Sequence, residues 1–251
     1  FLREERRGII HMLAMLTVIF AAIITLRGDY LVDGVRSVTA FSDSFIRDPM
    51  GDVLKVFSCV IMGLIFIYSK YYLRSFKMFR ADFFTLSLFA LLGVMLLISA
   101  NSMLMIYLGL ELISLSVYAL VAFNRASGRG TEAAMKYFVL GSMASGMLLY
   151  GMSMIYGATG SLLLPEIAKA IQLQGANDIL LTFGLVFVVV GIAFKFGAVP
   201  FHMWIPDVYE GAPPAVTLFI SSVPKLAAFA MAYRFLSSGL GDLHVHWQSM
   251  L

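Results

Sequence analysis

Long stretches of mostly apolar residues dominate this sequence. A membrane-spanning helix needs about 20 such residues in a row. Backbone amides cannot stay unpaired in hydrocarbon, so each stretch is predicted to form a helix. The seven predicted spans are about 9–26, 52–69, 82–99, 102–123, 133–158, 178–204 and 213–236.

The composition agrees with a lipid environment. Hydrophobic residues make up 60% of the chain and charged residues 13%, whereas soluble domains average about 45–50% and about 25%. The apolar residues come in long runs and do not alternate, which argues against a transmembrane β-barrel. The sequence therefore predicts an all-α integral membrane protein, with residues 1–251 forming a single transmembrane domain.

Several classes of function find no support in the residues. Lysines and arginines are not grouped with aromatics on a polar face, so no nucleic-acid partner is expected. The single cysteine, Cys59, excludes an internal disulfide framework, an iron–sulfur cluster and a structural zinc site, and no bound metal is predicted. No phosphate-binding loop is present, so ATP-driven transport is not expected.

The loop charges predict an orientation. With the N-terminus inside, nine basic residues lie in inner segments and four in outer segments, which fits the positive-inside rule. The inner set is Arg3, Arg6, Arg7, Lys70, Arg74, Lys77, Arg80, Arg125 and Arg129, and the outer set is Arg27, Arg36, Arg47 and Lys169. The Asp-rich loop 27–51 is then external, and Leu164–Leu173 is predicted to be a short amphipathic helix along the outer surface.

Five basic residues fall inside the predicted spans, and among the acidic residues only Glu111 lies well inside one. A charge at the bilayer centre costs about 2.5–3.5 kcal/mol on insertion scales, so such residues tend to face a cavity or the bundle interior. Each is therefore a candidate functional residue. They are Lys55, Glu111, Lys136, Lys195, Lys225 and Arg234.

Three of these charges are central in their spans. Glu111 has no lysine or arginine three or four residues away, so its partner must come from another helix. Pro224 directly precedes Lys225, and proline bends a helix. Gly197 and Pro200 follow Lys195 and predict a broken helix, which often marks an ion site.

The other candidates have simpler explanations. Lys136 can pair locally with Glu132, one helical turn before it. Histidine is the side chain suited to proton transfer at physiological pH, so His202 could join a proton path, or could lie at the membrane surface. Lys55 and Arg234 lie close to helix ends and are predicted to extend to the surface. Small residues are predicted as helix-packing positions, among them Gly141, Ser145 and Gly146.

The central residues suit proton transfer. Burial in a low dielectric favours the neutral forms of both lysine and glutamate, and a neighbouring opposite charge favours the charged forms. Moving one charge therefore changes the proton affinity of the next group. The sequence predicts a row of Glu111, Lys195 and Lys225 passing protons through bridging water, with Lys136 and His202 as weaker members.

Longer motifs around these residues resemble the antiporter-like subunits of respiratory complex I. The motif is Lys195-Phe-Gly-Ala-Val-Pro-Phe-His-Met-Trp-Ile-Pro-Asp-Val-Tyr-Glu-Gly-Ala-Pro-Pro214, and Lys225 follows Lys195 by 30 residues. Glu111 in Glu-Leu-Ile-Ser-Leu and Lys136 in Lys-Tyr-Phe-Val-Leu-Gly-Ser match the family's buried glutamate and a further lysine. Both short stretches are most similar to the subunit N branch of the bacterial NADH–quinone oxidoreductases.

The resemblance implies a 14-helix antiporter-like subunit with two inverted repeats of five helices. One proton half-channel would occupy about residues 82–236. The cofactors NADH, FMN, iron–sulfur clusters and quinone would be bound by other subunits, and none by this chain. Its partners would be other membrane-arm subunits and the lipid bilayer, in a bacterial inner membrane or, as the second choice, a mitochondrial one. The second repeat is not within these residues, so the chain is expected to be part of a longer protein.

Two alternatives remain open from the sequence. The motifs are shared with subunits of multi-subunit Na⁺/H⁺ antiporters and of energy-converting hydrogenases. The chain could also be a membrane scaffold that moves no ion, although three deep charges are costly for a scaffold.

Overall fold

The computed structural model describes residues 7–27, 37–174 and 178–250. Arg3, Arg6 and Arg36, which entered the orientation prediction, lie outside these ranges. The described elements, in chain order, are α1 Arg7–Leu26, β1 Val38–Ala40, β2 Phe45–Arg47, α2 Pro49–Ser75, α3 Ala81–Ile98, α4 Met103–Val121, α5 Gly128–Thr159, α6 Leu164–Gln174, α7 Ile179–Phe196, α8 Trp204–Gly211, α9 Pro214–Ala232 and α10 His244–Gln248. A π-helix, Tyr233–Gly239, directly continues α9.

Seven of these helices are long and apolar enough to cross a membrane: α1, α2, α3, α4, α5, α7 and α9 with its π-helical end. They match the seven predicted spans, so the all-α membrane fold is confirmed. The prediction for the sixth span was wrong at one end, because α7 stops at Phe196 and does not reach residue 204.

A left-handed residue ends α7. Gly197 has φ +71°, and its amide donates to the carbonyls of Ala193 and Phe194. This is a common helix C-terminal motif that glycine adopts without a steric penalty. The chain then turns through residues 197–203 before α8 begins, so the predicted break after Lys195 is confirmed.

Helix α9 lies centrally in the bundle, where it contacts α2, α3, α4 and α7. Around it, α3 packs on α4 and α5 packs on α7. Glycines allow these helices to approach closely, as in many membrane bundles. A Cβ atom at Gly109 would come within 2.9 Å of the Leu97 amide nitrogen, and one at Gly184 within 3.0 Å of the Gly151 carbonyl oxygen.

Helix α6 covers the π-helical end of α9, and a small hairpin is attached at the end of α3. Helix α6 is amphipathic and buries Leu164, Ile167 and Ile171, packing against the π-helix. The predicted short amphipathic helix is thus confirmed. The hairpin of β1 and β2 was not predicted, because strands of three residues give no readable alternation. It is attached to the bundle where the Ile46 amide donates to the Ser99 carbonyl at 2.8 Å.

Candidate functional site

Lys195 and Lys225 line one small cavity inside the bundle. Lys195 is in the last turn of α7, beside the helix break, and Lys225 is on α9 directly after Pro224. The cavity has about 30 Å³ for water-sized occupants, which is enough for one or two water molecules. Leu97 of α3, Ser114 of α4, Tyr137 of α5 and Trp204 of α8 also line it, so six helices meet here.

Lys225 is held by the broken end of α7. Its Nζ donates to the carbonyl oxygens of Lys195 at 3.1 Å and Phe196 at 2.6 Å. The last carbonyls of a helix lack intrahelical partners and carry the negative end of the helix dipole, so a cation is stabilised there. The Nζ also lies 5.2 Å from the centre of the Trp204 ring. Lys225 therefore stays inside the bundle.

Lys195 reaches across to α4. Its Nζ donates to Ser114 Oγ at 2.8 Å, and the Ser114 hydroxyl donates to the Leu110 carbonyl oxygen at 2.8 Å. Ser114 lies one helical turn after Glu111, and the charges of Glu111 and Lys195 interact electrostatically. The lysine amine thus has a hydroxyl as its immediate neighbour and the carboxylate as its nearby opposite charge.

Glu111 finds its partner on another helix, as its sequence surroundings predict. The partner is Ser145 of α5, whose hydroxyl donates to Glu111 Oε1. The interpretation of Ser145 as a simple packing position was therefore incomplete.

The two glycines predicted as packing positions on α5 differ. Gly141 does pack closely, since the Tyr118 side chain occupies the space where its Cβ would stand. A Cβ at Gly146 would meet no heavy atom within 4 Å.

The two weaker candidates are not brought to this cavity. Lys136 Nζ lies 2.9 Å from Glu132 Oε1 and 3.2 Å from Asp207 Oδ2, and the Lys136 side chain is 45% exposed. The local Glu132–Lys136 pair that the spacing predicts is therefore present. His202 is exposed in the turn between α7 and α8. The structure brings Lys195 and Lys225 to the cavity without them, and Glu111 lies one helical turn from Ser114, which contacts Lys195.

The prediction that Lys55 and Arg234 extend to the surface was wrong. Arg234 is 4% exposed and Lys55 is 7% exposed. Arg234 donates from Nη2 to Asp48 Oδ1 and from Nε to the Ile98 carbonyl oxygen, both at 2.8 Å. Both basic groups lie near helix ends, but nearby elements cover them.

Lys55 belongs to a second ionic group at the start of α2. Its Nζ lies 3.5 Å from Asp52 Oδ1, and Arg47 donates to Asp52 Oδ2 at 3.1 Å. The i,i+3 spacing of Asp52 and Lys55 was a usable signal for their pairing. Asp48 and Arg234 are separated by 186 residues, and no local pattern in the sequence connects them. Asp48 had been assigned only to the external loop 27–51, and Asp52 had been placed at the start of the second predicted span.

Metal binding has no visible basis in residues 7–27, 37–174 and 178–250. Within these ranges, no group of three or more histidine, cysteine, aspartate or glutamate side chains could hold a metal ion. Cys59 is buried, as expected for an ordinary interior residue. The ionisable side chains that line the cavity are Lys195, Lys225 and Tyr137, and amines of this kind can exchange protons.

The apolar helices, the broken α7 and the buried charges define a multi-pass membrane protein of the antiporter-like class. The chain belongs to the NADH:quinone oxidoreductase/Mrp antiporter transmembrane family, whose model matches residues 100–250. The matched range includes Glu111, Lys195 and Lys225. The resemblance to antiporter-like subunits of complex I is thereby confirmed.

Comparisons with individual proteins agree with the family match. The chain is 55% identical to NADH-quinone oxidoreductase subunit N of Azoarcus sp. (strain BH72), over 100% of this chain and 50% of that relative. A chain of respiratory complex I from Thermus thermophilus, solved with bound aureothin, is 31% identical with a TM-score of 0.75, over 91% of this chain and 48% of that one. A chain of the Mrp complex from Dietzia sp. DQ12-45-1b has the same fold, with 19% identity and a TM-score of 0.77, over 94% of this chain and 45% of that one.

These comparisons agree with the resemblance to subunit N. The chain spans about half the length of the curated relatives it matches. Its bacterial relatives and its seven apolar helices identify a multi-pass protein of the bacterial inner membrane.

Proposed function

We propose that this chain forms part of a proton-translocating membrane-arm subunit of an NADH:quinone oxidoreductase, complex I. The observation that carries the proposal is the meeting of Lys195 and Lys225 at one water-sized cavity, with Glu111 one helical turn from the serine that binds Lys195. The 55% identity to a relative named as subunit N of this enzyme supports the same function.

The geometry suggests how a proton moves. Two ammonium groups at one cavity repel each other, so charging one amine disfavours charging the other. A proton arriving on Lys225 therefore promotes release from Lys195, and one or two water molecules can bridge the two amines. The carboxylate of Glu111 favours the charged form of Lys195 and provides the next acceptor. A change of charge elsewhere in the membrane arm would then shift the protonation equilibria of these three residues.

The broken end of α7 provides the hydrogen-bond acceptors for Lys225. Because α7 ends at Phe196, its last carbonyls are free to accept hydrogen bonds from the amine. Pro224 has no amide hydrogen to donate to the Ile220 carbonyl, and both residues line the cavity. Most of the cavity lining is apolar, so the two amines, the Ser114 hydroxyl and the carbonyl oxygens are the groups that can hold a water molecule there.

The redox chemistry belongs to other subunits in this proposal. They would bind NADH, FMN, the iron–sulfur clusters and quinone, and the chain would contribute proton movement coupled to quinone reduction. Its partners would be neighbouring membrane-arm subunits.

The proposal is tested in the complete membrane complex that contains this chain. Glu111→Gln, Lys195→Ala and Lys225→Ala should each reduce proton pumping and coupled quinone reduction together. Lys169→Ala on α6 is a matched control, because that lysine is exposed and does not line the cavity. Normal pumping by a fully assembled Lys195→Ala or Glu111→Gln complex would reject the proposed roles. It would favour the alternative of a membrane scaffold that moves no ion.

A second measurement separates complex I from its relatives. The proteins that copurify with the tagged chain should include NADH-oxidising and quinone-binding subunits. Copurification with a hydrogenase, or only with Na⁺/H⁺ antiporter partners, would overturn the assignment to complex I.

A further inference from the structure

Two buried serines contact the charged groups of the candidate site. Ser114 is 3% exposed and Ser145 is 4% exposed. Ser114 accepts a hydrogen bond from Lys195, and Ser145 donates one to Glu111. A buried hydroxyl without a partner is costly. Ser114 could be satisfied by the Leu110 carbonyl alone, so its additional contact with Lys195 needs an explanation.

The chemistry of a hydroxyl supplies one. A hydroxyl both donates and accepts hydrogen bonds, and its hydrogen can rotate between acceptors. While Lys195 is charged, Ser114 accepts from its ammonium group and donates to the Leu110 carbonyl at 2.8 Å. When Lys195 has released its proton, the neutral amine has a lone pair to which the same hydrogen can turn. Ser114 can therefore partner both protonation states of the lysine.

Helix geometry connects the two serines. Ser114 follows Glu111 by three residues on α4, so the two side chains lie on the same face of that helix. Ser145 reaches Glu111 from α5. The carboxylate is consequently oriented from one neighbouring helix, and the amine of Lys195 is held one turn away on the same helix as the carboxylate.

We propose that Ser114 and Ser145 are positioning residues that fix Lys195 and Glu111 for proton exchange, with Ser114 partnering both the charged and the neutral lysine. This inference rests on the proposed proton-translocating function and adds two residues to its site. It assigns to the two hydroxyls a role that helix packing alone would not require.

Ser58 offers a matched control for Ser114. Its hydroxyl is fully buried and donates to the carbonyl four residues earlier, Leu54, at 2.8 Å, as the Ser114 hydroxyl does to Leu110. It lies on α2, outside the cavity. Ser58→Ala therefore removes the same helix-local hydrogen bond, whereas the described contacts of Ser58 include no hydrogen bond to a charged side chain.

The first experiment compares these variants in the complete membrane complex. Ser114→Ala should assemble normally but lower proton pumping about tenfold, since hydrogen bonds to charged groups matter more than neutral ones. The pH profile of pumping should move by about one pH unit. Ser114→Thr, which retains the hydroxyl, should restore both properties, and Ser58→Ala should change neither.

Ser145 is tested by a spectroscopic measurement that does not depend on turnover. Infrared difference spectra should contain a carboxyl band that disappears in Glu111→Gln. In Ser145→Ala this band should shift, because its carboxyl has lost a hydrogen bond. A band unchanged by Ser145→Ala would reject the role of Ser145.

The outcomes distinguish this inference from the function on which it rests. If Lys195→Ala stops pumping but Ser114→Ala behaves like Ser58→Ala, the positioning role of Ser114 is wrong and the proposed function stands. If Lys195→Ala pumps normally, the proposed function itself fails. If Ser114→Ala does not assemble, pumping and pH dependence in Ser114→Thr decide, and a pH profile altered despite the retained hydroxyl would overturn the inference.

Discussion

The Nζ atom of Lys225 lies 2.6 Å from the carbonyl oxygen of Phe196, the last residue of α7. A side chain from the central helix thus occupies the position where a continuous α7 would make its own hydrogen bonds. The broken end of one helix and the ionisable group of another stabilise each other. Loss of the amine should therefore loosen the break, and distortion of the break should disturb the amine.

Lys225→Met should expose the end of α7 to local opening. Two hydrogen bonds from a charged donor are lost, each worth about 1.5–3 kcal/mol, so amide exchange around residues 197–203 should accelerate by about tenfold or more. Hydrogen–deuterium exchange of the solubilised protein measures this, with Lys169→Met as the control. Unchanged protection of this segment in Lys225→Met would mean that the amine does not stabilise the break.

Gly197→Ala should destabilise the protein by about 1–3 kcal/mol. Gly197 has φ +71°, and an added Cβ would collide with the Ile205 side chain. Thermal unfolding in detergent provides the measurement. Gly146→Ala is the matched control, because that helical glycine has open space around its Cβ position, and removing a helical glycine should be neutral or stabilising. Equal melting temperatures for the two variants would contradict the strain at Gly197.

Arg234→Met should cost about 3–5 kcal/mol, because it leaves the Asp48 carboxylate without its buried partner. Asp48→Asn combined with Arg234→Met should recover part of the loss, since asparagine still caps α2 and no lone charge remains. Thermal unfolding of Arg234→Met, Asp48→Asn and the double variant measures the coupling. Arg129→Ala is the control: its pair with Glu210 has an arginine side chain that is 85% exposed, so no measurable change is expected. Strictly additive effects at Asp48 and Arg234 would argue against their pairing.

Gly109→Ala should push α3 and α4 apart at a cost of about 1–3 kcal/mol, the usual range for overpacking. The added Cβ would stand 2.9 Å from the Leu97 amide nitrogen, which is backbone and cannot move aside. Gly63→Ala on α2, where nothing lies within 4 Å, should leave the melting temperature unchanged or raise it. Both variants can be compared by unfolding in the same detergent. A tolerated alanine at Gly109 would show that this helix contact is loose.

Much of the fold could be predicted from the sequence, because a lipid environment requires long apolar helices with paired backbone amides. The seven spans, the break after Lys195 and the amphipathic α6 follow from apolar length, from Gly197 and Pro200, and from the spacing of apolar residues. The end of α7 was misjudged, because residues 197–204 remain largely apolar and hydropathy does not register a left-handed glycine. The three-residue strands before α2 had too little pattern to be recognised.

Only part of the candidate site could be predicted from the sequence. Glu111, Lys195 and Lys225 stood out because a charge is rare within an apolar run. Ser114 and Ser145 did not stand out, since serine is common in membrane helices and its partner decides its role. Arg234 was misread for a related reason: its distance from the helix end indicated access to the surface, but Asp48 and Ile98 come from other parts of the chain to cover it.

The sequence by itself determined that this chain crosses a membrane as helices and that three ionisable groups lie within its spans, because hydrocarbon tolerates no unpaired amides and a charge there is costly. Only the tertiary structure decided which groups meet. Hydrogen bonds such as Lys195 to Ser114 act over about 3 Å, and helix packing alone brings residues so distant in sequence within that range.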